Sequence, residues 1–122
     1  MCSLMYSIKV EGNFSSAHNL RQYRGKCEEL HGHTWKIEAI VSNDKLDKTG
    51  LVMDFKYLKK QLNNVLESLD HKYLNKLEAF KKINPTSENI AGYIYGRLKP
   101  KISNLKSVTV WENNSCSATY EE

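Results

Sequence analysis

Of the four histidines in this 122-residue chain, three fall where two extended segments end or begin: His18, and the pair His31 and His33 on either side of Gly32. On an extended chain residues i and i+2 point to one face, so His31 and His33 reach toward a common ion. His18, at the end of a neighbouring strand, supplies a third nitrogen. Neutral imidazoles suit zinc, and three protein ligands leave a fourth position for water or substrate. The bland alternative is surface histidines, one of them hydrogen-bonded in the core, and the spacing alone leaves the two readings level. Cys27 precedes His31 by four residues. Beside a divalent cation a thiol loses its proton more readily and becomes a usable base. It also fits as the fourth ligand of a closed structural zinc, which Cys/His sets commonly form, or as a small loop hydrophobe.

Other candidates lie further along. In Asp70-His71 a carboxylate can orient and stabilise an imidazolium, giving a proton donor near neutral pH. Sequence neighbours need not face each other, and a histidine that complements a helix dipole is the alternative. Glu112 follows Val110-Trp111 in a run that reads as a buried strand. A carboxylate there needs donors, from a ligand with two parallel N–H groups or from a Lys or Arg. Thr86 is first of all a helix cap. Arg21, Arg24 and Lys26 read as solvated loop charges that also stand close enough to Cys27 in sequence to meet phosphates.

Positioning these side chains requires a frame, and the periodicities supply one. Tyr6, Ile8, Val10 and Phe14 alternate with mostly polar residues up to His18, and Trp35, Ile37 and Ala39 do so within residues 33–41, predicting two strands. Asn19 to Glu29 is polar and reads as a loop. Phe55, Leu58, Leu62, Val65, Leu66 and Leu69 follow a helical stripe with Asp54 placed to cap it. Residues 70–85 read as connection. A second helix is expected from Thr86 through Ile90, Ala91, Ile94 and Leu98 to Pro100. Val108 to Trp111 and a short segment ending at Tyr120 read as closing strands. The order ββααββ predicts a single α+β domain over residues 1–122, with helices on one face of a four-stranded antiparallel sheet. Such a sheet leaves two edges open, which an edge-to-edge oligomer would close.

Composition narrows the function classes. Lys and Arg total 18 against 14 acids, a net charge of +4. That mild excess suits an anionic small molecule, and without an Arg-rich arm or interleaved basic and aromatic residues no nucleic-acid partner is expected. Three cysteines without a C-x-x-C pair argue against a disulfide framework and for reduced thiols. Apolar runs no longer than Leu51-Val52-Met53 predict neither a membrane span nor a signal core, so a cytoplasmic protein is expected.

Taken in order, Phe14-Ser15-Ser16-Ala17-His18, Cys27-Glu28-Glu29-Leu30-His31-Gly32-His33, Gly50-Leu51-Val52-Met53-Asp54-Phe55, Leu69-Asp70-His71-Lys72-Tyr73-Leu74-Asn75, Pro85-Thr86-Ser87-Glu88-Asn89 and Glu112 resemble the 6-pyruvoyl-tetrahydropterin synthase family. Within it the resemblance is to the bacterial 6-carboxy-tetrahydropterin synthases of queuosine biosynthesis. Three residues between Cys27 and His31 look like that branch; the pyruvoyl branch has a longer gap, and a folate-linked branch replaces the cysteine with glutamate. Asn113 departs from the pattern, standing where the family usually has Thr, and Ser16 stands where Ala is frequent. The resemblance implies a T-fold whose sheets join into barrels, as a hexamer or tetramer with sites between subunits. It implies zinc on His18, His31 and His33, Cys27 as proton acceptor, and Asp70 with His71 as a relay. Glu112 would grip the pterin's amino-pyrimidine edge and join the catalytic relay, with Thr86 nearby. The implied reaction converts 7,8-dihydroneopterin triphosphate to 6-carboxy-tetrahydropterin, acetaldehyde and triphosphate. Pyruvoyl formation is the alternative activity, and an anion-binding module with a structural zinc is the alternative of another class.

Overall fold

The computed structural model describes residues 5–25 and 28–122. Strands β1 (Tyr6–His18) and β2 (His31–Asn43) form a long antiparallel pair, followed by helices α1 (Phe55–Glu67) and α2 (Ser87–Leu98) and strands β3 (Leu105–Asn113) and β4 (Cys116–Glu121). The sheet runs β1-β2-β3-β4, every neighbour antiparallel, so the expected ββααββ order and four-stranded sheet are what forms. Among the described residues no helix is long and apolar enough to cross a membrane.

Alternation sorts each strand's side chains to two faces. Val10, Phe14, Ser16 and His18 of β1 are buried, as are Trp35, Ile37, Ala39 and Val41 of β2 and Val108 and Val110 of β3. Tyr6 was expected on this inner side, but it is 51% exposed at the start of β1, outside the helices' cover. β2 begins at His31, two residues ahead of the predicted start, and this extension carries the metal candidates into the sheet itself.

Asp54 caps α1 by accepting the Lys56 N–H at 2.8 Å, and Leu58, Leu62, Val65 and Leu66 bury the stripe. Phe55, predicted to belong to that stripe, is instead 56% exposed in the first turn. Gly12 lets the helix approach: a Cβ there would lie 2.8 Å from Leu66 Cδ1. Thr86 caps α2 by accepting the Asn89 N–H at 3.1 Å. Between the helices, residues 68–86 form two 3-10 turns, Leu74–Lys76 and Glu78–Phe80, and this connection proves to be the frame of the site.

Candidate active site

Register places the first two histidines opposite each other. His18 pairs with His31 at the end of the β1–β2 ladder, and Ser16 pairs with His33. All three imidazoles stand on the helix-covered face, edge-on to one another with ring centroids 4.6 to 5.3 Å apart. Trp35 forms their floor, its ring 5.0 Å from His18 and 5.2 Å from His33, and Phe14 stacks on Trp35 at 5.0 Å. One ligand atom from each histidine lies within 4.8 Å of the others.

The hydrogen bonds fix which nitrogens are free. His18 Nδ1 lies 2.8 Å from the Pro85 carbonyl and His31 Nδ1 lies 2.7 Å from the Glu29 carbonyl. A carbonyl oxygen only accepts, so both Nδ1 atoms carry protons. In the neutral rings both Nε2 atoms are then bare lone pairs, and they face each other 3.0 Å apart. Two acceptors at that distance repel unless a cation lies between them. A tetrahedral zinc with Zn–N bonds of about 2.0–2.1 Å holds its nitrogens about 3.3–3.4 Å apart, close to this spacing. The residues therefore fit a zinc ion. Burial lowers the pKa of both His18 and His33, which keeps the rings in the neutral form that binds metal.

Glu112 is the fourth group at the cluster. Its Oε1 is 3.4 Å from His33 Nε2 and 3.9 Å from His18 Nε2, and its side chain is 32% exposed at the rim. β3 loses register with β4 between Trp111 and Asn113, so Glu112 sits at an irregularity in the ladder. Asn113 turns its side chain to the β3–β4 connection, accepting from Ser115 N at 2.9 Å.

Asp70 and His71 do pair, at 2.9 Å. A short strap holds them against the free edge of β1: Ser15 N–H donates to Asp70 Oδ1 at 2.8 Å, His71 N–H to the Ser15 carbonyl at 2.6 Å, and Ala17 N–H to the Lys72 carbonyl at 2.9 Å. Ser16 Oγ donates to the Leu69 carbonyl and accepts the Lys72 N–H, so the strap is pinned from the strand side as well. His71 turns through positive φ (54°), an uncommon conformation for a side-chain-bearing residue. The Ser15 N–H, and then His71, hold the Asp70 carboxyl below the usual range. His71 is 83% exposed, beside an open cleft that it shares with Ser15, Gly32, His33 and Thr34. Among the described residues the pair makes no hydrogen bond or ring contact with the three histidines. Thr86 adjoins Pro85, whose carbonyl holds His18. Cys27 lies outside the described residues.

Sequence reasoning missed a set of asparagines. Asn75 accepts the Asn19 N–H at 3.0 Å and donates to the Asn19 carbonyl at 2.9 Å; Asn84 does the same to Arg21 at 2.8 and 2.9 Å. Each amide imitates a strand neighbour for the chain just past β1. Arg21, read as a solvated charge, donates instead to the carbonyls of Asn75, Phe80 and Ile83. The sequence signal was the polar loop itself, whose backbone groups need partners.

The model of the 6-pyruvoyl tetrahydropterin synthase family matches residues 7–122. The chain belongs to this family. A Synechocystis protein named 6-carboxy-5,6,7,8-tetrahydropterin synthase is 38% identical over 95% of this chain and 93% of its own. A Pyrococcus furiosus protein named dihydroneopterin monophosphate aldolase is 38% identical over 93% and 96%. The solved Caenorhabditis elegans 6-pyruvoyl tetrahydropterin synthase superposes with a TM-score of 0.88 at 32% identity, covering 98% of this chain and 96% of its own. The fold is the T-fold of these pterin synthases, and the chain is a lyase of the family.

Proposed function

We propose that this family member is a zinc-dependent 6-carboxy-tetrahydropterin synthase. It converts 7,8-dihydroneopterin triphosphate and water to 6-carboxy-5,6,7,8-tetrahydropterin, acetaldehyde and triphosphate, in the cytoplasmic route to queuosine. The observation that carries the zinc reading is the pair of bare Nε2 atoms of His18 and His31, 3.0 Å apart, with His33 beside them. Zinc held there supplies Lewis acidity to the hydroxyls of the substrate side chain.

The chain's own groups do the rest. Cys27 takes the proton from the side-chain carbon. His71, kept oriented by Asp70, returns a proton elsewhere on the substrate. Glu112, partly exposed at the rim, accepts the parallel N–H groups of the pterin, with Thr86 nearby. The exposure of His71 supports a site completed between subunits, and the β4 edge and the Tyr6 end of the β1 edge support a homo-oligomer, a hexamer or tetramer. The four-residue step from Cys27 to His31 favours the carboxy product over the pyruvoyl one.

A second reading, aldol cleavage of a dihydroneopterin phosphate, is favoured by the equal identity of the Pyrococcus relative over 96% of its length. Mass spectrometry of products from 7,8-dihydroneopterin triphosphate and from the monophosphate separates the three. Acetaldehyde with a 6-carboxy product from the triphosphate is expected. A 6-pyruvoyl product without acetaldehyde, or turnover of the monophosphate alone, overturns the proposal.

A further inference from the structure

Among the described residues the Pro85 carbonyl is the group that fixes the His18 tautomer, and Pro85 is itself buried and held from both sides. On one side, the Asn84 amide grips both backbone groups of Arg21, at 2.8 and 2.9 Å. On the other, Thr86 caps α2 by accepting the Asn89 N–H. Asn89 joins the two sides: its side-chain N–H donates to the Asn84 carbonyl at 2.8 Å while its backbone N–H meets Thr86. The first turn of α2 thereby grips the residue before and the residue after Pro85.

We propose that Asn84, braced by Asn89, is a positioning residue for His18, aiming the Pro85 carbonyl so that His18 keeps its proton on Nδ1 and presents a bare Nε2 to the metal. The proposal rests on the zinc reading for its consequence but not for its geometry. Strand β1 delivers the His18 backbone, yet the ring can still rotate or exchange tautomers. Of the histidine's two ring nitrogens, one is committed by the partner of the other. Removing the brace frees the 84–86 turn and lets Nε2 take the proton, which competes directly with the ion.

The test compares Asn84→Ala, Asn89→Ala and, as a control away from the site, Ser68→Ala, which loses the bonds to the Val65 carbonyl and Tyr93 hydroxyl. Nitrogen-15 NMR of the metal-free proteins, above the imidazole titration range, reads the His18 tautomer; chelator competition reads zinc affinity. In the wild type the Nδ1–H form of His18 is expected. Asn84→Ala should show a mixed tautomer and bind zinc about tenfold more weakly, the lower range for groups behind a metal ligand. Ser68→Ala should lose stability while keeping both readouts. A folded Asn84→Ala with the wild-type tautomer and affinity overturns the proposal. Should Asn84→Ala not fold, Asn89→Ala decides by the same readouts, since it deletes only the bond to the Asn84 carbonyl. A wild type that binds no zinc sinks the zinc reading, and the tautomer comparison still decides the positioning role.

Discussion

Replacing His31 with alanine separates an open catalytic zinc from a closed structural one when it is set beside Cys27→Ala. His31 is half-buried, and among the described residues its ring makes one protein hydrogen bond besides the close approach to His18, to the Glu29 carbonyl. Its loss should therefore cost the metal-free fold under about 1 kcal/mol. The metal consequence is much larger. A structural zinc binds with an apparent ~10–16 kcal/mol over four ligands, or about 2.5–4 kcal/mol per ligand. At 1.4 kcal/mol per decade, His31→Ala should weaken zinc by about 60- to 700-fold and abolish turnover in step. Cys27→Ala, with three histidines intact, should hold near-stoichiometric zinc and its melting temperature while turnover falls about a hundredfold or more. The assays are metal content after gel filtration, chelator competition and product formation. Parallel loss of zinc from both variants would mean that Cys27 is a ligand, and would refute the open site.

The other predictions follow from the frame. Gly12→Ala pushes a Cβ to 2.8 Å from Leu66 Cδ1 and 3.2 Å from Asn63 Oδ1, and should lower stability by about 1–3 kcal/mol in urea unfolding; an unchanged midpoint would show that α1 does not need the close approach. Arg21→Ala removes three bonds to carbonyls at the partly exposed connection and should cost about 2 kcal/mol, with Arg21→Lys failing to restore it because an ammonium lacks the planar fork. A thermal melt of Arg21→Lys matching the wild type would contradict that. His18 and His33 have folded pKa values below the unfolded 6.5, so between those values the unfolded chain binds more protons. Stability of the metal-free protein should hold above about pH 6.5 and fall as pH drops below it, and His18→Gln should flatten that slope in melts taken across the range. Asp70 has the opposite chemistry but the same sign: its contribution is present above 3.8 and is lost as pH falls through its lower folded pKa, so Asp70→Asn should blunt the acid limb.

The frame and the histidine cluster were legible because both follow short-range rules. Strand alternation put His31 and His33 on one face, and the cap residues Asp54 and Thr86 both accept the bonds expected of them. Glu112 was legible as a carboxylate in an apolar strand, though its nearest groups prove to be His33 and His18. What escaped depends on contacts more than fifty residues apart. Nothing local says that Asn75 and Asn84 will grip the chain after β1, that Arg21 will bind carbonyls rather than water, or that Ser16 will pin the strap carrying Asp70 and His71. Phe55 was misread because a helical stripe cannot tell how far the first turn is covered: it borders an open cleft with Lys9, Val10 and Glu11 of β1 and stays 56% exposed.

The strap also decides how the β1 edge can be used. Ser15 spends its N–H and carbonyl on Asp70 and His71, Ala17 spends its N–H on Lys72, and the Glu11 carbonyl takes the Lys59 ammonium. In an antiparallel ladder both backbone groups of one residue point to the same side, so odd-numbered residues of β1 face outward while even-numbered ones face β2. The His18 end of that outward row is therefore closed by Asp70, His71 and Lys72, and the Tyr6 end is where Ser7 and Lys9 still carry outward groups. An edge half-closed in this way resists runaway strand addition yet leaves one defined stretch for a second copy. The Asp70–His71 pair that closes the edge is itself turned toward solvent, with His71 83% exposed. One segment thus covers the His18 end of the β1 edge and presents the Asp70–His71 pair beside it; under the proposed relay and oligomer, the geometry of assembly and the geometry of the chemistry are set by the same strap.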